Sequence, residues 1–254
     1  MNPRRPNGSV RPSADNCEAF TITDLLVIVA VLAVIFCLQV SAMTMARDQS
    51  RVAQCSANLK QFTLAATSYA FENNNRLPNL SGLGVWAWDL AVSATDALGA
   101  NGASRNNLYC PANPDQNVDG LWNWNVGTSG GYRVIGYVTT FPGNPSVTGT
   151  NQNASILPAP IPYGPLVYPA PHASQRVLLA DASLTASGQN PALASTYQWT
   201  RIQGGYLAAH RTSHLNGLLP AGCNVSMLDG HVEWRGFGQM IPRTTSSGSP
   251  SFWW

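Results

Sequence analysis

The sequence predicts an α+β fold: a long N-terminal helix whose second half lies on an antiparallel sheet with long loops. Three observations carry this. No Gly or Pro interrupts the chain from Phe20 to Leu77. Within that stretch the apolar pattern changes from continuous to a single stripe. Farther on, short strand-like runs end in one well-marked hairpin, Asn224 to Trp234.

The elements follow in chain order. Residues 1–19 hold Arg4, Arg5 and Arg11 among Pro, Asn and Ser, and read as a disordered cytoplasmic leader. Between Asp24 and Arg47 lie 22 residues with no charge. As a helix they would extend about 33 Å, against a hydrocarbon core of about 30 Å. The strictly apolar part, Leu25 to Leu38, is 14 residues. Residues 20–46 are therefore expected to be the transmembrane half of the helix. Residues 47–76 continue it as an amphipathic half. Val52, Cys55, Leu59, Phe62, Ala66 and Tyr69 recur at intervals of three and four, one stripe of a helix among polar neighbours. The helix should end near Asn73–Asn75, before Pro78, Gly82 and Gly84.

Residues 77–254 form the expected globular domain. Val85 to Leu90 begins a short helix or strand, and Gly131 to Thr140 has strand composition. Phe141 to Ala173, rich in Pro and Asn, reads as a surface excursion. Arg176 to Ala180 reads as a short buried strand. In the hairpin, Asp229-Gly230 suits a two-residue type I′ turn, which would set Met227 opposite Val232 and Val225 opposite Trp234. Phe252-Trp253-Trp254 is expected to pack into the core.

The N-terminal run Ala19-Phe20-Thr21-Ile22-Thr23-Asp24-Leu25-Leu26-Val27 resembles a type IV pilin-like or type II secretion pseudopilin precursor. Ala19 stands where that family usually has Gly, and Asp24 where it usually has Glu. Cys55 to Gln61, Tyr69, Leu108 to Pro111 and Asn224 to Trp234 resemble the prepilin-like proteins abundant in planctomycetes. His214 and His210 lie farther upstream of Asp229-Gly230 than the family's C-terminal His does. The resemblance implies cleavage between Ala19 and Phe20 by a prepilin peptidase, methylation of Phe20, and an inner-membrane, single-pass protein. Its globular domain would lie in the periplasm or outside. Its partners would be the membrane and other pilin-like subunits.

Asp24 has two readings. After cleavage, the Phe20 ammonium of a neighbouring subunit would pair with Asp24 and set the register of a filament. Alternatively Thr21 or Thr23 caps the helix and Asp24 complements its dipole. Five cysteines occur in the chain. With the implied orientation, Cys55, Cys110 and Cys223 face an oxidising compartment, and a disulfide among them is expected, Cys55–Cys110 first. Cys55 is otherwise a small stripe residue.

Asp115-x-Asn117-x-Asp119-Gly120 matches the first half of a calcium loop, but Val126 occupies the twelfth position where a bidentate Glu is needed. His210 and His214 are four apart and, with His231, suggest zinc, though only Cys223 or Asp229 could add a third ligand. No Gly-x-Ser-x-Gly, His-Glu-x-x-His or phosphate loop occurs, so no enzyme is expected. Charged residues are 10% of the chain, there is one Lys, and the net charge is +2, which gives no basis for nucleic-acid binding. The expected function is a structural subunit of a secretion- or pilus-type filament. The rivals are a membrane-tethered binding domain and a secreted enzyme with a cleaved signal.

Overall fold

The computed structural model describes residues 20–254, apart from 82, 128–130, 187 and 246–249; at 38–42 and 161–163 only the backbone is described. The expected leader, including Cys17 and Ala19, lies outside the described residues. The chain divides into two units, Met1–Ala46 and Arg47–Trp254. Helix α1 (Ile22–Glu72) contributes to both.

Its start is capped locally. The Thr21 N–H and hydroxyl donate to Asp24 Oδ2 at 3.0 and 2.6 Å, and the Asp24 N–H donates back to Thr21 Oγ1. This reciprocal pairing satisfies donors that a helix start otherwise leaves open. Its end is equally local. Asn74 and Asn75 adopt left-handed φ of 55° and 62°, and the Asn75 N–H closes on Ala70 O at 2.7 Å.

In the first unit the helix is apolar all round, with side chains between 44% (Ile28, Ile35) and 81% (Ile22) exposed. Among the described residues, however, no helix is long and apolar enough to cross a membrane. This corrects the expectation of a transmembrane half. The strictly apolar run is 14 residues, only about 21 Å of helix against a core of about 30 Å. Gln39, Ser41 and Thr44 then dilute it.

In the second unit the stripe on α1 buries Cys55, Leu59, Phe62, Ala66 and Ala70, with Tyr69 half-buried. It packs on a four-stranded antiparallel sheet. Strand β1 (Asp89–Ala91) pairs with β2 (Tyr132–Val134) outside that sheet. The sheet itself is built from β3 (Tyr137–Thr139), β4 (Val177–Asp181), β5 (Gly222–Met227) and β6 (Val232–Gly236), in the order β6-β5-β4-β3. Registers of Tyr137↔Asp181 and Val225↔Ala180 set Tyr137, Leu179, Asp181, Asn224 and Ser226 on one face. That face meets α1: the Phe62 ring lies 6.4 Å from those of Tyr137 and Phe141, and Thr63 Oγ1 is 2.6 Å from Ser226 Oγ. Val138, Ala180 and Val225 belong to a second core, with Trp199, Trp253 and Trp254. The three C-terminal aromatics are buried there, as expected.

Two strand expectations change. Gly131 to Thr140 is two strands, separated at Gly136. A Cβ there would sit 2.8 Å from Tyr109 Cα and 2.9 Å from Cys110 N, so glycine lets the Leu108–Cys110 backbone pass against the sheet. In the hairpin, Ser226 faces Val232 and Val225 faces Glu233, one residue off the expected register. The cause is a three-residue loop, Leu228 to Gly230. It is closed by Gly230 at φ 89° and by Met227 N–H to His231 O at 2.9 Å. A one-residue shift exchanges the faces. It sends Trp234 to the α1 face with Asn224, where its ring edge meets His214 at 5.3 Å.

Candidate functional site

Four chain segments converge under the second half of α1. Cys55 comes from the buried stripe. Cys110 follows the turn held against Gly136, where Gly136 N–H donates to Leu108 O at 2.8 Å. Asp181 is the last residue of β4, its apolar run ending in a carboxylate. His214 is fixed by its neighbours: Thr212 Oγ1 donates to Leu184 O and accepts from Leu184 N–H, and Ala221 N–H donates to His214 O at 2.8 Å.

The donor atoms of Cys55, Cys110, Asp181 and His214 all lie within 4.8 Å of one another, and all four residues are buried. Cys55 Sγ is 2.7 Å from Asp181 Oδ1 and 3.3 Å from Tyr137 Oη. His214 Nε2 is 3.2 Å from Asp181 Oδ2 and 3.3 Å from Cys110 Sγ. Asn224 supports the carboxylate, donating to Asp181 Oδ2 from its N–H at 2.7 Å and its Nδ2 at 3.1 Å. Tyr137 Oη donates onward to Tyr109 O at 3.1 Å.

The electrostatics follow from burial against these partners. Burial pushes the Cys55 thiol well up, and Cys110 and Asp181 push the same way. Burial would raise Cys110 too, but hydrogen bonding to Cys55 and His214 outweighs it and holds the thiol at about 7. Burial would raise Asp181; His214, Cys55 and Asn224 keep it below the usual carboxylate range. Burial would lower His214, yet Asp181 and Cys110 hold it up at about 10.

The set does not form a nucleophile–base–orienter relay. Cys110 and Asp181 both address Nε2 of His214, whereas a relay needs the carboxylate on the other ring nitrogen. Cys110 is also only 2% exposed. What the arrangement offers is four donor atoms aimed at one point.

The residues singled out from sequence fare unevenly. Cys55 and Cys110 do come together, but as free thiols in this cluster instead of the expected disulfide; Cys223 is also free, and buried in the second core. The calcium loop is not built. Asp115 pairs with Arg211 at 3.2 Å, Asn117 Oδ1 accepts from Arg105 Nε at 2.9 Å, and Asp119 pairs with Arg105 at 2.6 Å. Guanidinium groups take the oxygens a cation would need, and Gly120 lies inside the short helix Asp119–Trp122 instead of at a sharp left-handed turn. The zinc reading of His210, His214 and His231 separates into three places. His210 meets the rings of both Trp86 and Trp88 edge-on, and burial holds it down at about 4. His231 Nδ1 contacts Asp229 at 2.6 Å near the hairpin loop. Only His214 reaches the cluster. Asp181 was not foreseen; its one signal is a carboxylate ending a buried apolar strand.

The fold and site define an α+β protein with a polar, ligand-like cluster inside its core. No family model, curated protein or solved structure matches the chain.

Proposed function

We propose that this chain is a pilin-like structural subunit. At the inner membrane the first half of α1 packs against the same half of neighbouring subunits and so assembles the chain into a secretion- or pilus-type filament, with residues 47–254 displayed on it. The observation that supports this is the uncovered apolar surface of residues 22–36, exposed on every side of the helix. A helix apolar all round needs lipid or neighbouring helices about it. Asp24 is the one charge at its start, and Phe20 and Thr21 precede the helix.

The test is the mature N-terminus together with a variant series at Asp24. Mass spectrometry should find a chain beginning at a methylated Phe20. Cross-linking in cells between cysteines placed on α1 should be lost in Asp24→Ala and kept in Asp24→Glu. Asp24→Asn keeps an acceptor for Thr21 while removing the charge, so it separates capping from register; cross-linking as in wild type there would defeat the assembly role.

A second reading, a membrane-tethered binding domain, is favoured by one observation. A cleft of about 210 Å³ is lined by Trp86, Trp88, Trp124, Tyr132 and Tyr206 beside Asp89. Aromatic walls with a single carboxylate suit an amphipathic ligand.

A further inference from the structure

We propose that Cys55, Cys110, Asp181 and His214 form a structural zinc site that staples α1 to the sheet. The inference does not rest on the assembly reading and concerns the globular unit alone.

Geometry comes first. Tetrahedral zinc with bonds of about 2.0–2.3 Å to N, O and S ligands has edges of about 3.3–3.8 Å. Two edges here are 3.2 and 3.3 Å, the Cys55 Sγ to Asp181 Oδ1 separation is shorter at 2.7 Å, and no pair of donor atoms exceeds 4.8 Å. Closing to full coordination asks only for tenths of an ångström to about 1 Å of side-chain movement. The shared use of Nε2 is what a common metal position requires, since Cys110 and Asp181 converge on the lone pair the imidazole would offer.

Ligand chemistry comes second. Two thiolates, one imidazole and one carboxylate at tetrahedral spacing suit zinc over calcium or magnesium, which prefer oxygen donors in larger number. Binding would take both cysteines as thiolates and His214 with Nε2 deprotonated, so the thiol protons and the proton on the imidazolium, which Asp181 and Cys110 hold in place in the metal-free site, would be released to solvent. The resulting negative charge has donors in place on Asp181, the Asn224 N–H and Nδ2.

Topology and access come third. The ligands lie 55, 71 and 33 residues apart in sequence, counting from Cys55 to Cys110, then to Asp181, then to His214. One ion would therefore tie a helix, a turn, a strand and a loop. A cleft of about 490 Å³, lined by Gln54, Asn58, Tyr109 and Pro111, reaches Cys110 and gives an entry path. A disulfide would explain the two cysteines but not why a buried His and Asp share their position.

The experiment uses the full chain, purified in detergent without chelator. Elemental analysis should find about one zinc per chain. A chain isolated metal-free should take up zinc once reduced. Peptide mapping under non-reducing conditions should show Cys55 and Cys110 unlinked and alkylated only after denaturation. Cobalt in place of zinc should give thiolate-to-cobalt charge-transfer absorption, roughly halved in Cys110→Ser because one of two thiolates is lost. His214→Ala should lower metal retention at least about 10-fold, whereas Cys223→Ser, outside the cluster, should leave it unchanged. A linked Cys55–Cys110 peptide in the chain as first purified without chelator would overturn the proposal. So would free thiols in a wild-type chain that binds neither zinc nor cobalt, a readout that does not depend on any variant folding.

Discussion

The two halves of α1 are one helix with one backbone geometry, yet they meet opposite fates. Residues 22–36 leave Leu26, Val27 and Phe36 more than 60% exposed, while Cys55, Leu59, Phe62 and Ala66 are fully buried. The difference lies in which positions are polar. In the first half nothing selects a face, so no single sheet could cover it. In the second half polar residues fill most positions off the stripe, so one sheet suffices. The comparison teaches that burial is decided by the pattern of polar residues around the helix, and the apolar residues themselves do not settle it.

The largest effect should come from breaking the covered half. Phe62→Ala removes a fully buried ring packed against Tyr137 and Phe141. It should cost about 3–5 kcal/mol, and so lower the melting temperature of the globular unit by about 6–20 °C in calorimetry of the full chain.

The buried carboxylates sharpen the contrast through pH. Asp24 is exposed at the helix start, whereas Asp89 is 3% exposed, accepts from the N–H groups of Val85 and Trp86, and is lifted by burial from 3.8 to about 6. The raised value means that the folded state keeps a proton the unfolded state has lost. Stability therefore falls as pH rises from about 4 to about 6 and is level above, a loss of at most roughly 3 kcal/mol. His210, held down to about 4 by burial, slopes the other way. The measurement is thus a difference: denaturant midpoints of wild type and Asp89→Asn at about pH 4 and pH 7. The variant should gain relative to wild type at the higher pH; an identical pH response in the two proteins would show that the Asp89 carboxyl is not raised.

Gly136→Ala probes how the turn carrying Cys110 is seated. The new Cβ meets the backbone of Tyr109 and Cys110 at 2.8 and 2.9 Å, so the turn must move. A cost of about 1–3 kcal/mol is expected, and in parallel a faster reaction of Cys110 with alkylating agents in the folded protein. Unchanged alkylation would show that the turn is placed by something other than this close approach.

The smallest effect is on the uncovered half. Ile28→Ala should change unfolding of the globular unit by less than about 0.5 kcal/mol, because its side chain is 44% exposed and belongs to the other unit. A drop comparable to Phe62→Ala would erase the contrast between the halves.

Much of this was legible in the residue order because it depends on local rules. An absence of Gly and Pro, a period of three and four, and two asparagines able to turn left-handed suffice to place α1 and its end. The runs that became β4 and β5 were legible for the same reason. The hairpin register was not. Asp229-Gly230 fits either a two- or a three-residue loop, and the choice depends on which face of β5 meets α1 and which meets the second core. The calcium-like spacing was misleading because Arg105 and Arg211, remote in sequence from part of the loop, neutralise it in space. The cluster needed tertiary structure most of all. Cys55 and Cys110 could be paired as cysteines, but Asp181 and His214 carry no short-range signal. Four side chains spread over 160 positions, from Cys55 to His214, meet only once the sheet has formed and α1 has laid its stripe across it. Local order determined the elements; long-range burial decided which polar groups they enclose, because a desolvated polar group must find its partner wherever the packed chain places one.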